Sequence, residues 1–173
     1  MQSSSPAVLV DTNVIIEAWR VRGWNALASR HALETVGTVV IETHTGFQKR
    51  RDAQQIDQVE LKRTLRAIHE TTERERAELA VRVPGVHLDP GERDLWAHAL
   101  MRADAWVLCG PDKASLRVGV QLGLRERLVS LEALWQQAGF QAKNLRENFT
   151  AKWHERAMSM LIMAERVAGR GQA

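Results

Sequence analysis

The chain has 173 residues, with 24 Lys and Arg against 21 Asp and Glu, a formal charge of +3 and 45% hydrophobic residues. These values suit one globular domain with an appended segment, large enough to bury a core without staples. No run of about 18 apolar residues occurs, which excludes a membrane span, and a single cysteine excludes an internal disulfide and fits a reducing compartment. The opening Met-Gln-Ser-Ser-Ser-Pro lacks the basic start and apolar stretch of a signal peptide, so a cytoplasmic location is expected. A charge of +3 tolerates a nucleic-acid partner without requiring one.

Ala7-Val8-Leu9-Val10 is a short β-branched apolar run that predicts a strand buried on both faces. Asp11-Thr12-Asn13 ends it, and Val14 to Arg20 reads as a helix, which puts Asp11 where strand turns into helix. A helix from about Trp24 to Leu33 then leads to a second expected strand, Thr38-Val39-Val40-Ile41, with Glu42 directly at its end. From Thr43 to about Arg82 the pattern is helical, with Ile56, Val59, Leu65 and Ile68 as its apolar positions. Lys62, Arg63, Arg66, Arg74 and Arg76 alternate there with Glu60, Glu70, Glu73 and Glu75, as on a solvated face laced with salt bridges. The preceding Lys49-Arg50-Arg51 triplet is the better candidate for phosphate contact.

Pro84-Gly85 breaks the helical pattern, and Val86-His87-Leu88 is either a short strand or an extended link. Asp89 then reads as an N-cap with Pro90 at the first helical position, opening a helix through Leu95, Ala99 and Leu100. Trp106-Val107-Leu108-Cys109 predicts a third buried strand, closed by Gly110-Pro111 and followed by Asp112. A helix over about Lys113 to Leu122 and a short strand at Leu128-Val129-Ser130 complete the pattern. Alternating buried strands and helices predict an α/β fold of three layers, a mostly parallel central sheet flanked by helices. Beyond it, Leu145, Phe149, Trp153, Ala157, Leu161 and Ala164 draw one apolar stripe, widened by Met158, Met160 and Met163, on a C-terminal helical extension. The expected division is residues 1–139 for the α/β domain and 140–173 for the extension.

Asp11, Glu42, Glu92 and Asp112 all fall at expected strand ends or helix starts. Ligands of an open parallel sheet bind outside the carboxyl ends of its strands, so these acids have a common place to meet. Gathered carboxylates repel one another unless a cation neutralises them, and hard oxygen donors select Mg²⁺ or Mn²⁺. No spaced zinc set is present. A carboxylate-held cation with open water positions serves phosphodiester hydrolysis, which points to a nuclease. Each acid alone also has a plainer use: Asp11 as an N-cap, Glu42 and Glu92 as first-turn charges, and Asp112 as a turn residue.

The segment Val8-Leu9-Val10-Asp11-Thr12-Asn13-Val14-Ile15-Ile16 resembles the opening of PIN domains, the family that includes the VapC toxins. Val39-Val40-Ile41-Glu42 is similar to the family's second acidic segment. Leu88 to Ala99, with its Gly91-Glu92 pair, is similar to the third, and Val107 to Lys113 to the strand that ends in the last acid. Leu128 to Leu134 matches the closing strand and helix start, so the resemblance covers roughly residues 7–139. It implies a metal-dependent endoribonuclease with Asp11, Glu42, Glu92 and Asp112 as both catalytic and Mg²⁺ or Mn²⁺ residues, supported by Thr12 and Asn13. It also implies an RNA substrate, cleaved to a 3′-hydroxyl and a 5′-phosphate, for which Lys49, Arg50, Arg51 and Lys113 are the candidate contacts.

As in toxin–antitoxin pairs, an antitoxin protein is an implied partner. The Met-rich extension is read first as packing on its own domain or on a second copy, giving a homodimer, and second as a partner surface. Two positions depart from the pattern. Gly110 stands where the family often carries Ser or Thr, removing a supporting hydroxyl. Asp94 competes with Glu92 for the third acidic position, and residues two apart on a helix do not face the same way. A PIN-fold RNA-binding or scaffold protein with a weakened metal site is the alternative. An aspartyl phosphatase is set aside, because Asn13 stands where that chemistry needs a proton donor. Of the six tryptophans, Trp19, Trp24 and Trp153 are candidates for base stacking, with core packing the commoner use.

Overall fold

A computed structural model describes residues 5–45 and 55–170. Its centre is a parallel sheet of β1 (Ala7–Val10), β2 (Ala32–Val36), β3 (Ala67–His69), β4 (Trp106–Cys109) and β5 (Leu128–Val129), in the order β3-β2-β1-β4-β5. Val8 of β1 stands opposite Leu33 on one side and Val107 on the other. Every residue of β1 is buried, as an uninterrupted apolar run at the middle of a sheet covered on both faces requires. The chain runs from β1 outward through β2 and β3, then returns to add β4 and β5 on the opposite side. The carboxyl ends of β1 and β4 therefore flank the switch point of the sheet, the place where α/β folds open a crevice.

The flanking helices are α1 (Thr12–Arg20), α2 (Trp24–Arg30), α3 (Gly37–Thr45), α4 (Gln58–Thr64), α5 (Glu73–Arg82), α6 (Pro90–Leu100), α7 (Lys113–Gln121), α8 (Leu131–Gln137) and α9 (Ala151–Arg170). Their starts are capped locally. Asp57 accepts from the Val59 and Glu60 amides at the head of α4, and Thr72 and Glu75 form a reciprocal capping box on α5.

The expected α/β class holds, but two local expectations do not. Thr38–Ile41 is helical, lying within α3, and the second strand is the preceding Ala32–Val36. In α3 the residues Val39, Val40 and Thr43 turn inward while Ile41 is exposed, so a β-branched run here follows a helical face. The true strand contains Glu34, buried in the sheet and paired with Arg66, His69 and Arg102. A charge inside a buried strand survives because two arginines pair with it and His69 lies within hydrogen-bond distance. The stretch expected to be helical up to Arg82 is instead α4, β3 and α5, so its basic residues do not share one helix. Val86–Leu88 is a link, not a strand.

The C-terminal extension packs on α7 and α8. Phe149, Ala157, Met158 and Leu161 are buried in the same core as the sheet residues. Two carboxylates fasten it. Buried Glu17 of α1 accepts from the Arg146 amide at 3.0 Å and is paired with Arg20, which also donates to the Asn144 carbonyl. Glu132 of α8 accepts from the Ala151 amide at 2.7 Å, satisfying a first-turn donor of α9. Trp24 is buried and Trp19 and Trp153 pack against the core, so these rings serve the interior. No helix among the described residues is long and apolar enough to cross a membrane.

Candidate metal centre

Asp11 is the residue after β1 and the N-cap of α1, its Oδ1 accepting the Val14 amide at 2.8 Å. It is 2% exposed, and its second oxygen, Oδ2, is buried with no hydrogen-bond partner. The strand end that carries it is fixed by buried Thr35, whose hydroxyl donates to the Val10 carbonyl at 2.7 Å. Burial pushes the Asp11 carboxyl up to about 7; the Val14 amide opposes this, and the charges of Asp112 and Glu42 add to it.

Glu42 reaches the same region from α3 and not from a strand end. Its Oε2 accepts from the Thr12 hydroxyl and its Oε1 from the Gly91 amide at 2.9 Å. Thr12 thus supports the site by holding Glu42. A Cβ at position 91 would crowd Glu42 Oε2, so the glycine lets this carboxylate lie against the head of α6 without shifting.

Glu92 sits in the first turn of α6 and accepts from the Asp89 amide at 3.4 Å. It is 7% exposed, and burial, reinforced by the charges of Asp112 and Asp11, pushes its carboxyl up to about 8. Asp94, two residues on, faces elsewhere. Arg76 grips both its oxygens at 2.8 Å, and Thr38 and Arg93 add further bonds. Burial works to raise its pKa, but these donors win and hold it down to about 2. Asp94 therefore locks α6 to α3 and α5, and Glu92 is the acid turned toward Asp11.

Asp112 is exposed at the rim and caps α7, its Oδ1 accepting from Ala114 at 2.7 Å and Ser115 at 3.4 Å. Its Oδ2 takes no part in that cap. Gly110, just before it, lies against Asp11: a Cβ there would be 3.0 Å from Asp11 Oδ2. Asn13 and Lys113 are exposed in the first turns of α1 and α7. Lys49, Arg50 and Arg51 lie outside the described residues. Thr12 is a supporting residue in the sequence reading too, though its partner Glu42 is not legible there; the role of Thr35 escapes sequence reasoning, and Gly91 is marked only through the Gly91-Glu92 pair of the third segment.

Asp11, Glu42, Glu92 and Asp112 thus come from four elements to one edge of the sheet, near enough that each of the two buried acids feels at least two of the others. Among the described residues no group of three or more Asp, Glu, His or Cys side chains is close enough to hold a metal ion as it stands. Asp112 at the rim caps its own helix through Oδ1. The donor chemistry nonetheless fits a hard cation. All four candidate groups are carboxylates, and Asp11 Oδ2 is a buried acceptor that no protein donor satisfies. The larger surface clefts lie elsewhere, one of 410 Å³ between α2 and α4 and one of 470 Å³ beside α7 and α9.

Fold and site together define an α/β protein with an acidic edge at the switch point of a parallel sheet. Comparison with known proteins adds no relative: no family model matches the chain, and no curated protein or solved structure matches it.

Proposed function

We propose that the chain is a metal-dependent endoribonuclease whose Mg²⁺ or Mn²⁺ is held by Asp11, Glu42, Glu92 and Asp112. The observation that carries this reading is the buried, unpartnered Oδ2 of Asp11, standing among acids at the switch point of the sheet. Asp11 is the anchor ligand, because its other oxygen and its backbone are fixed by α1. Glu42, held by Thr12 and Gly91, and Glu92, held by the start of α6, are the second and third. Asp112 would complete the set through Oδ2, the oxygen that its helix cap does not use. A divalent cation bound there supplies Lewis acidity toward water and phosphate.

In its absence the raised pKa values of Asp11 and Glu92 keep both acids partly protonated near neutrality, so proton release accompanies binding. Hydrolysis breaks the P–O3′ bond and leaves a 3′-hydroxyl and a 5′-phosphate. The choice of RNA over DNA and an antitoxin partner rest on the PIN-domain resemblance, a homodimer on the Met-rich C-terminal helix, and a cytoplasmic setting on the single cysteine.

A second reading, a PIN-fold RNA-binding or scaffold protein, is favoured by the use of Asp112 as a helix cap and by the missing hydroxyl at Gly110. Incubating mixed cellular RNA with the protein in Mn²⁺, Mg²⁺ or EDTA, beside Asp11→Asn and Asp112→Asn, separates the two. Discrete metal-dependent fragments that need both carboxylates support the nuclease. RNA bound but intact in every condition selects the binding protein.

A further inference from the structure

Helix α7 begins directly after Asp112, and its sequence, Lys-Ala-Ser-Leu-Arg-Val-Gly-Val-Gln, contains no acid. Ser115, Leu116, Val118 and Gly119 are buried, which leaves Lys113, Arg117 and Gln121 as one exposed row, four residues apart. Neither cation forms an ion pair among the described residues. Arg20, Arg63, Arg76 and Arg82 each sit three or four residues after a glutamate of their own helix and pair with it. Arg117 has Lys113 at that position instead, a like-charge neighbour that weakens an isolated helix. A row that opposes helix stability and leaves two cations unpaired beside the acidic edge is complementary to a polyanion.

We propose that Lys113 and Arg117 form a track that carries the phosphate backbone of single-stranded RNA away from the acidic edge along α7. The inference rests on the nuclease reading above. The two side chains are separated by about 6 Å along the helix axis, at 1.5 Å per residue. Lys113 supplies a point charge next to the last acid, and Arg117 a planar fork that engages a phosphate through two donors. The track ends at Gln121, which is turned to Glu165 of α9 at 3.1 Å.

The test is fluorescence anisotropy of a labelled single-stranded RNA in EDTA across a salt series. Wild-type protein is compared with Lys113→Gln/Arg117→Gln and with Lys62→Gln, which removes an exposed cation of α4. Circular dichroism checks that each variant is folded, and cleavage in Mn²⁺ is followed in parallel for the wild type. Loss of two single-strand phosphate contacts should lower the slope of log K against log salt by about 1.4 and weaken binding roughly tenfold near 0.1 M salt. Lys62→Gln should leave the slope within error. If the wild type binds and cleaves RNA while the double variant keeps its affinity and slope, the track is wrong and the nuclease stands. If the wild type neither binds nor cleaves RNA, the nuclease reading fails and the track falls with it.

Discussion

Asp11→Asn removes a charge from a fully enclosed position while keeping a side chain of the same shape and capping ability. In the unfolded chain residue 11 is an ordinary carboxyl near 3.8; in the folded protein burial raises it to about 7. Between those values the folded state holds a proton that the unfolded state has released. The stability of the metal-free protein therefore falls as pH rises through that window and is lowest above it. A shift of about three pH units at about 1.4 kcal/mol per unit sets an upper limit of about 4 kcal/mol. The asparagine NH₂, left where Oδ2 has no partner, takes back about 1–3 kcal/mol of that gain. The cap exchange itself is nearly neutral.

The expected net gain above pH 7 is about 2 kcal/mol, or a rise in Tm of roughly 4–8 °C for a chain of this length. Thermal unfolding in EDTA at pH 5 and pH 8 reads it directly. The variant should match the wild type at pH 5, exceed it at pH 8, and lose the stabilisation that Mn²⁺ gives the wild type. A variant less stable than the wild type at pH 8 in EDTA would refute the argument, because Asp11 would then act as a favourable structural anion.

Gly91→Ala should displace Glu42 by about an ångström and lower cleavage by roughly 100-fold while the protein remains folded, as kinetics beside circular dichroism would show. Asp94→Ala and Glu92→Gln should diverge although two residues apart. The first breaks the Arg76 pair and costs roughly 2–3 kcal/mol, discounted because Arg76 is partly in solvent. The second leaves Tm unchanged or raised and abolishes activity, and equal losses of Tm in both would contradict the division of roles. Glu17→Ala should release the 144–149 segment from α1, seen as faster limited proteolysis there than in the wild type.

Much of the fold was legible because β1 and β4 are uninterrupted apolar runs followed by turn residues, and because Asp89-Pro90 announces the start of α6. The second strand was misplaced because Glu34 interrupts its apolar pattern, and only the folded structure brings Arg66, His69 and Arg102 around that charge. The β-branched run that follows mimicked a strand while forming one face of α3, and β3, at three residues, is too short to interrupt the helical pattern around it. The four acids could be listed from their positions, and Gly91 marked the third. What the sequence could not decide was the orientation of Glu92 against Asp94, since that depends on Arg76 arriving from α5. The fastening of the extension through Glu17 was hidden for the same reason, its partners lying more than a hundred residues away.

The most direct test of the central claim is a Mn²⁺ titration followed by electron paramagnetic resonance at pH 7.5, with wild-type protein, Asp11→Asn and Asp94→Asn. The expected result is saturable Mn²⁺ binding by the wild type, displaced by Mg²⁺, lost in Asp11→Asn and retained in folded Asp94→Asn. Free-ion signal at every protein concentration, or binding that survives Asp11→Asn, would mean that these carboxylates are helix caps and not a metal centre.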